Sequence, residues 1–213
     1  MDAGKVGRLY SRAEHAVDAT IHVLGVLFAI NGGLWLLFHV AGLSVVVSVS
    51  VYCAGLFAML TASALYNLWP QGNTREWLRR FDHAAIFIMI AATYTPFAVN
   101  RLQAPASSTI LGLIWSGATI GVILKMIFPR RFEMASVALY LCLGWLVVTV
   151  IKPLSAAMAV ADFRLLIAGG IVYSAGVVFY LMERLPYHKA IWHGFVLVAV
   201  ILHFAAIASE FAV

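Results

Sequence analysis

Long apolar runs separated by short polar segments extend along the whole chain. Seven of these runs approach the about 20 mostly apolar residues that a helix needs to cross a bilayer. They cover residues 17–40, 44–68, 82–99, 109–128, 134–151, 165–182 and 190–211. No long polar linker interrupts the series, so the pattern predicts an all-α bundle of seven transmembrane helices in a single domain, residues 1–213.

Composition excludes a soluble fold. The chain is 63% hydrophobic and 11% charged, whereas about 25% of the residues of a soluble domain are charged. Cys53 and Cys142 lie in separate apolar runs, so we interpret them as packing residues and expect no disulfide. The net charge of +5 does not indicate nucleic-acid binding, because the basic residues flank the apolar runs, as membrane insertion requires.

The distribution of Lys and Arg predicts the orientation in the membrane. Short cytosolic loops carry an excess of these residues. With a cytosolic N-terminus, only Arg101, Lys152 and Arg164 of the 14 basic residues fall outside. The other basic residues are inside, namely Lys5, Arg8, Arg12, Arg75, Arg79, Arg80, Lys125, Arg130, Arg131, Arg184 and Lys189. We therefore predict a cytosolic N-terminus and an external C-terminus.

Polar side chains from different runs collect at the predicted cytosolic leaflet. Ser63 and Asn67 end the second run, Asp82 opens the third, and Lys189 and His193 open the seventh. Residues four apart share one face of a helix, so each pair can face the bundle interior. Because polar groups inside a membrane are costly, these five are candidate functional residues. Lys189 could instead extend its ammonium to the headgroups.

A second polar stripe leads into the first run. Glu14, Asp18 and His22 follow one another at steps of four residues. We regard them as a secondary set. Glu14 and Asp18 could be acidic residues favoured by the helix dipole, and His22 could be a hydrogen-bonded histidine of the core.

Four local motifs resemble those of one membrane-protein family. They are Glu14-x3-Asp18-x3-His22-x2-Gly25, Ser63-Ala64-Leu65-Tyr66-Asn67, Phe81-Asp82-His83-Ala84-Ala85-Ile86 followed by Ala92-Thr93-Tyr94-Thr95-Pro96, and His188-Lys189-Ala190-Ile191-Trp192-His193. In this order and at these span ends they resemble the hemolysin-III-like branch of the progestin and adiponectin receptor superfamily. The resemblance implies seven helices, a cytosolic N-terminus and a bacterial or organellar membrane. We expect the bacterial inner membrane.

The resemblance also implies a zinc site, but two ligand positions differ. In the family, one histidine of the second span and two of the seventh bind zinc, near a serine and an aspartate. Ser63, Asp82 and His193 match, whereas Asn67 and Lys189 stand where the family has ligand histidines and Asp18 where it usually has asparagine. Zinc favours three N, S or carboxylate ligands, so we expect no cofactor. Zinc held by His193 is the alternative.

We hypothesise that a lysine replaces the metal. Lys189 would form an ion pair with Asp82, and Ser63, Asn67 and His193 would complete a hydrogen-bonded cluster. Burying two charges costs several kcal/mol for each ion unless their geometry is good, and the donors and acceptor of an asparagine suit that task.

Three functions remain open. The first is a metal-free protein of membrane lipid homeostasis or sensing, with a membrane lipid as its partner; the sequence indicates neither nucleic acid nor a protein partner. The second, implied by the resemblance, is a zinc-dependent lipid amide hydrolase, with Asp82 as base, Ser63 positioning the substrate and His193 as metal ligand. The third is proton or ion translocation through the titratable residues.

Overall fold

All seven predicted spans are helices. The computed structural model describes residues 11–128 and 130–213, so the basic residues Lys5 and Arg8 lie outside the described part. The helices are α1 (Arg12–Phe38), α2 (Leu43–Leu68), α3 (Asn73–Arg101), α4 (Ala106–Ile127), α5 (Glu133–Ala157), α6 (Val160–Leu181) and α7 (His188–Phe211). Each is long and apolar enough to cross a membrane. The predicted all-α, seven-helix architecture is confirmed.

The third helix begins well before its apolar run. Its first turns from Asn73 are polar, so a hydropathy pattern misses them, yet they are held by contacts with the next helices. Arg79 pairs with Glu133 of α5, and Arg80 donates to the Met126 carbonyl of α4 at 2.9 Å. Asp82 therefore lies in the third turn of α3 and not at the start of a helix.

The first and last helices are tied together at both ends. At one end, Ser11 and Glu14 form a capping box, and the second carboxylate oxygen of Glu14 accepts from the Tyr187 N–H at 2.8 Å. At the other end, the Val213 N–H donates to the His39 carbonyl at 2.7 Å. Glu14 is thus a structural residue that caps α1 and fixes the entry into α7.

Close packing between α6 and α7 depends on a glycine. A Cβ atom at Gly169 would lie 2.3 Å from the His203 ring, a distance that no side chain can tolerate. The His203 Nε2 atom lies 3.1 Å from the Leu166 carbonyl, so the imidazole is bound to backbone one turn away. The close approach of the two helices is therefore made at Gly169 and not at the neighbouring Gly170.

A tyrosine of α3 interrupts the hydrogen bonds of α5. The Tyr94 hydroxyl accepts from the Val147 N–H at 2.7 Å and donates to the Gly144 carbonyl at 2.7 Å. In a regular α-helix the Val147 N–H would instead bond to the carbonyl of Leu143. The inserted hydroxyl accounts for the 3₁₀ segment Trp145–Val150 between the α-helical parts of α5.

Removing this hydroxyl should loosen α5. We expect Tyr94→Phe to lower stability by about 1–3 kcal/mol, the cost of leaving buried polar groups unsatisfied. Thermal unfolding of the purified protein in detergent measures the change. Tyr180→Phe is the matched control, because the described contact of Tyr180 is made by its ring, 5.4 Å from Trp192. Equal melting temperatures for the two variants would contradict the role given to Tyr94.

Candidate functional site

The stripe on α1 meets the start of α7. His193 Nδ1 lies 2.6 Å from Asp18 Oδ1, and His22 Nε2 lies 3.7 Å from Asp18 Oδ2. The two imidazole rings contact each other, with centroids 4.4 Å apart. The side chains of Asp18, His22 and His193 are only 13%, 4% and 12% exposed. We call this group the Asp18–His22–His193 cluster.

The five residues of the predicted cluster line one cavity. Ser63, Asn67, Asp82, Lys189 and His193 all contribute to its wall. Their direct contacts differ from the hypothesis. The Ser63 hydroxyl interacts with the Asp82 carboxylate, but the Asn67 amide donates to the Ser63 carbonyl of its own helix at 3.0 Å. The described hydrogen bond of the Asn67 amide is therefore made within α2.

The surroundings of Lys189 differ from those in the hypothesis. Within the described ranges, no direct ion pair joins Lys189 to Asp82. Lys189 and Asp18 line the same small pocket, whereas Asp82 lines the larger cavity.

Asp82 has a positive neighbour that the sequence hypothesis left out. Arg79 lines the same cavity as Asp82. Arg79 precedes Asp82 by three residues, so the two share one face of α3.

The α1 stripe divides into two roles. Glu14 uses both carboxylate oxygens for backbone N–H groups, which agrees with the structural interpretation of that residue. Asp18 and His22, which we regarded as secondary, are the residues that contact His193. The spacing of four residues places Asp18 and His22 on one face of α1. Only the adjacency of α1 and α7 shows that this face meets His193.

The residues at the zinc positions of the family pattern do not fit a zinc ion. Asn67, Lys189 and His193 offer one amide, one ammonium and one imidazole, whereas zinc requires three good N, S or carboxylate donors. Asp18, His22 and His193, by contrast, each present a ligand atom, and these atoms lie within 4.8 Å of one another. The metal-compatible donors are therefore on α1 and α7.

The cavity beyond the cluster is long and mostly apolar. Its volume is about 520 Å³, within the range of about 300–1,000 Å³ that is typical of ligand sites. Along α3 its lining extends from Arg79 to Leu102, about 34 Å at 1.5 Å per residue. Charged groups occur at the Arg79 end. Apolar side chains such as Ile90, Phe97 and Leu154 predominate in the remainder, which also includes Thr93 and Ser174. The shape and polarity match an amphiphile with a long chain.

Comparison with known proteins identifies the family. Residues 10–204 match the family described as "Haemolysin-III related". The chain is 38% identical over 187 residues to hemolysin-3 of Bacillus cereus, covering 86% of this chain and 85% of that protein. It is 35% identical over 192 residues to the hemolysin-3 homolog of Bacillus subtilis (strain 168), covering 89% and 90%. The human monocyte to macrophage differentiation factor is 27% identical over 200 residues, covering 91% and 83%.

The match extends over nearly all of the seven helices that build the cavity and the Asp18–His22–His193 cluster. Two relatives above 30% identity are covered over most of their length. This integral membrane protein with seven spans therefore belongs to the hemolysin-III family, within the progestin and adiponectin receptor superfamily.

Proposed function

We propose that the protein binds a membrane lipid in its interhelical cavity and acts in membrane lipid homeostasis or sensing. The observation that carries this proposal is the shape and polarity of the cavity. One end presents Ser63, Asp82 and Arg79, and the walls beyond are apolar over most of the length of α3. This arrangement matches a lipid whose polar group lies beside Ser63, Asp82 and Arg79 and whose acyl chain lies along α3.

Selectivity should come from the polar end. A lipid tail in the bilayer is already in an apolar medium, so moving it into the cavity gains little hydrophobic energy. Interactions with the headgroup are different, because hydrogen bonds and charges are worth more where water is excluded. The positive charges of Arg79 and Lys189 beside the Asp82 carboxylate favour a lipid whose polar group carries both donors and acceptors.

Filling the cavity should abolish lipid binding without harming the fold. Gly170 lines the cavity, and a Cβ there would meet its nearest side-chain atom, on Trp145, at 4.0 Å. We expect Gly170→Leu to occupy the space of the chain and to reduce co-purifying lipid per protein, measured by native mass spectrometry, by at least about tenfold.

The control for this variant is Gly112→Leu. Gly112 is exposed on α4, and a Cβ added there meets nothing within 4 Å. Both substitutions replace a helical glycine with leucine, so they share the same gain in helix propensity. If both variants keep their lipid at the wild-type level, the cavity is not the binding site.

We also propose a cytosolic N-terminus in a bacterial inner membrane. The strong bias of Lys and Arg to one side supports this orientation, and the bacterial relatives support the compartment. The polar end of the cavity would then lie at the inner leaflet.

Reporter fusions test this orientation. Alkaline phosphatase fused after Val213 should be active because it is exported, whereas the same enzyme fused in the turn between α6 and α7 should be inactive. Green fluorescent protein at the same two positions should give the opposite pattern. Active phosphatase in the α6–α7 turn would reverse the proposed topology.

We do not propose a metal at the α2 and α7 positions of the family pattern. Restoring the histidines of that pattern tests whether these positions converge on one ion. In an Asp18→Asn background, Asn67→His with Lys189→His supplies three histidines with His193. We expect this triple variant to bind one zinc per chain, measured by elemental analysis after dialysis. Asp18→Asn with Asn67→Gln and Lys189→Gln is the matched control and should bind none. Equal zinc contents would mean that positions 67, 189 and 193 do not converge on one ion.

Hydrolysis of a lipid amide is the second candidate function. It is favoured by Ser63, Asp82 and His193 sharing the polar end of the cavity. Asp82 would accept the proton of an attacking water, and Ser63 would orient the amide. Release of fatty acid from ceramide in liposomes, lost in Asp82→Asn and retained in Gly112→Leu, would establish this activity over simple binding.

A further inference from the structure

We propose that Asp18, His22 and His193 form a binding site for one divalent transition metal, built from α1 and α7. This site differs from the α2 and α7 positions where the family resemblance implies zinc ligands, and shares only His193 with them. It does not depend on the proposed lipid function, because metal binding can be measured without any lipid.

The donor set has the right chemistry. Two imidazoles and one carboxylate bind zinc in many enzymes and leave one coordination position open; the same set also binds ferrous iron. Asp18 and His22 are four residues apart and share a face of α1, and His193 approaches from α7. The three side chains are largely shielded from water, so a bound ion would exchange slowly with solvent.

The distances require only small side-chain movements. Donor atoms that share a zinc ion each lie about 2.1 Å from it, which places them about 3.4 Å apart in a tetrahedral site. The Asp18–His22 distance is 3.7 Å, the Asp18–His193 distance is 2.6 Å, and the donor atoms of all three residues fall within 4.8 Å. To reach this spacing the Asp18–His193 contact must open by about 0.8 Å, and a donor pair at the upper limit of 4.8 Å must close by about 1.4 Å.

The strongest sign of a ligand is His22. Its Nε2 atom is buried and has no hydrogen-bond partner among the described residues, and its side chain is 4% exposed. A buried ring nitrogen without a partner is costly. Asp18 already binds His193 at 2.6 Å and lies too far from His22 for a hydrogen bond, whereas a metal between them would satisfy all three.

Charge distinguishes this site from a hydrogen-bonded triad. Asp18 supplies an anionic ligand that the asparagine usual in the family pattern cannot provide. Lys189, one turn before His193, places a positive charge nearby that opposes a dication. Arg75 lines the same small pocket as Asp18 and adds to this opposition, whereas Asp82 lines the cavity that also contains His22 and His193 and offsets part of it. We therefore expect Lys189→Gln to strengthen metal binding several-fold, an effect that a purely structural triad would not produce.

Metal titration of the full chain examines the proposal. The protein, freed of its purification tag and dialysed against a chelator, is titrated with Zn(II), and with Co(II) to follow the visible absorption of a tetrahedral site. We expect one ion per chain. Asp18→Asn and His22→Ala should each weaken binding by at least about tenfold, while His39→Ala, at the opposite end of α1, should leave it unchanged.

Any other result contradicts the proposed metal site. Wild-type protein that binds no zinc would exclude it, and so would an ion that both Asp18→Asn and His22→Ala retain. Loss in Asp18→Asn alone would mean that Asp18 orients His193 and that His22 is not a ligand. Helical circular dichroism and a monodisperse elution profile establish that each variant is folded, and Asp18→Asn, which preserves side-chain shape, decides the matter if His22→Ala aggregates.

Discussion

The docking of α7 on α1 is the contact on which the polar end of this protein depends. Inside a bilayer, helices gain little from burying apolar surface against one another, because lipid tails are equally apolar. Hydrogen bonds at helix ends therefore contribute much of the energy that fixes how neighbouring helices align. Here the Glu14 carboxylate holds the Tyr187 N–H, and the His39 carbonyl holds the Val213 N–H. With both ends fixed, Asp18 must face His193.

The same docking explains how several charges coexist at one end of the bundle. A charged group inside a membrane protein costs several kcal/mol unless other groups compensate it. Asp18 lies beside His22 and His193 and lines one pocket with Lys189, and Asp82 lines the cavity with Arg79 and Lys189. A positive side chain thus shares a pocket with each carboxylate. The lysine at position 189 and the aspartate at position 18 line one pocket, so each offsets the charge that the other adds.

Sequence patterns predicted the helices, but they did not predict most of the side-chain contacts between them. Hydropathy located all seven helices, and the polar residues at the span ends indicated five side chains that line one cavity. The early start of α3 was missed because its first turns are polar, and this misplaced Asp82 and concealed Arg79. The Tyr94 hydroxyl that breaks α5 left no periodic signal, since it depends on a residue fifty positions away. Likewise, His193 was matched to Asn67 and Lys189 by motif, but its closest polar contact, Asp18, follows from helix adjacency.

The cluster also separates two spaces of different character. His22 and His193 line the long apolar cavity, and Asp18 lines the small polar pocket, while Asn67 and Lys189 border both. An occupant of the cavity would reach the two imidazoles, and water or an ion in the small pocket would reach the carboxylate. Because Asp18 and His193 are joined directly at 2.6 Å, a change on either side must act on the same hydrogen bond. These three side chains are therefore the point at which an occupant of the cavity and the polar pocket beyond it can influence each other.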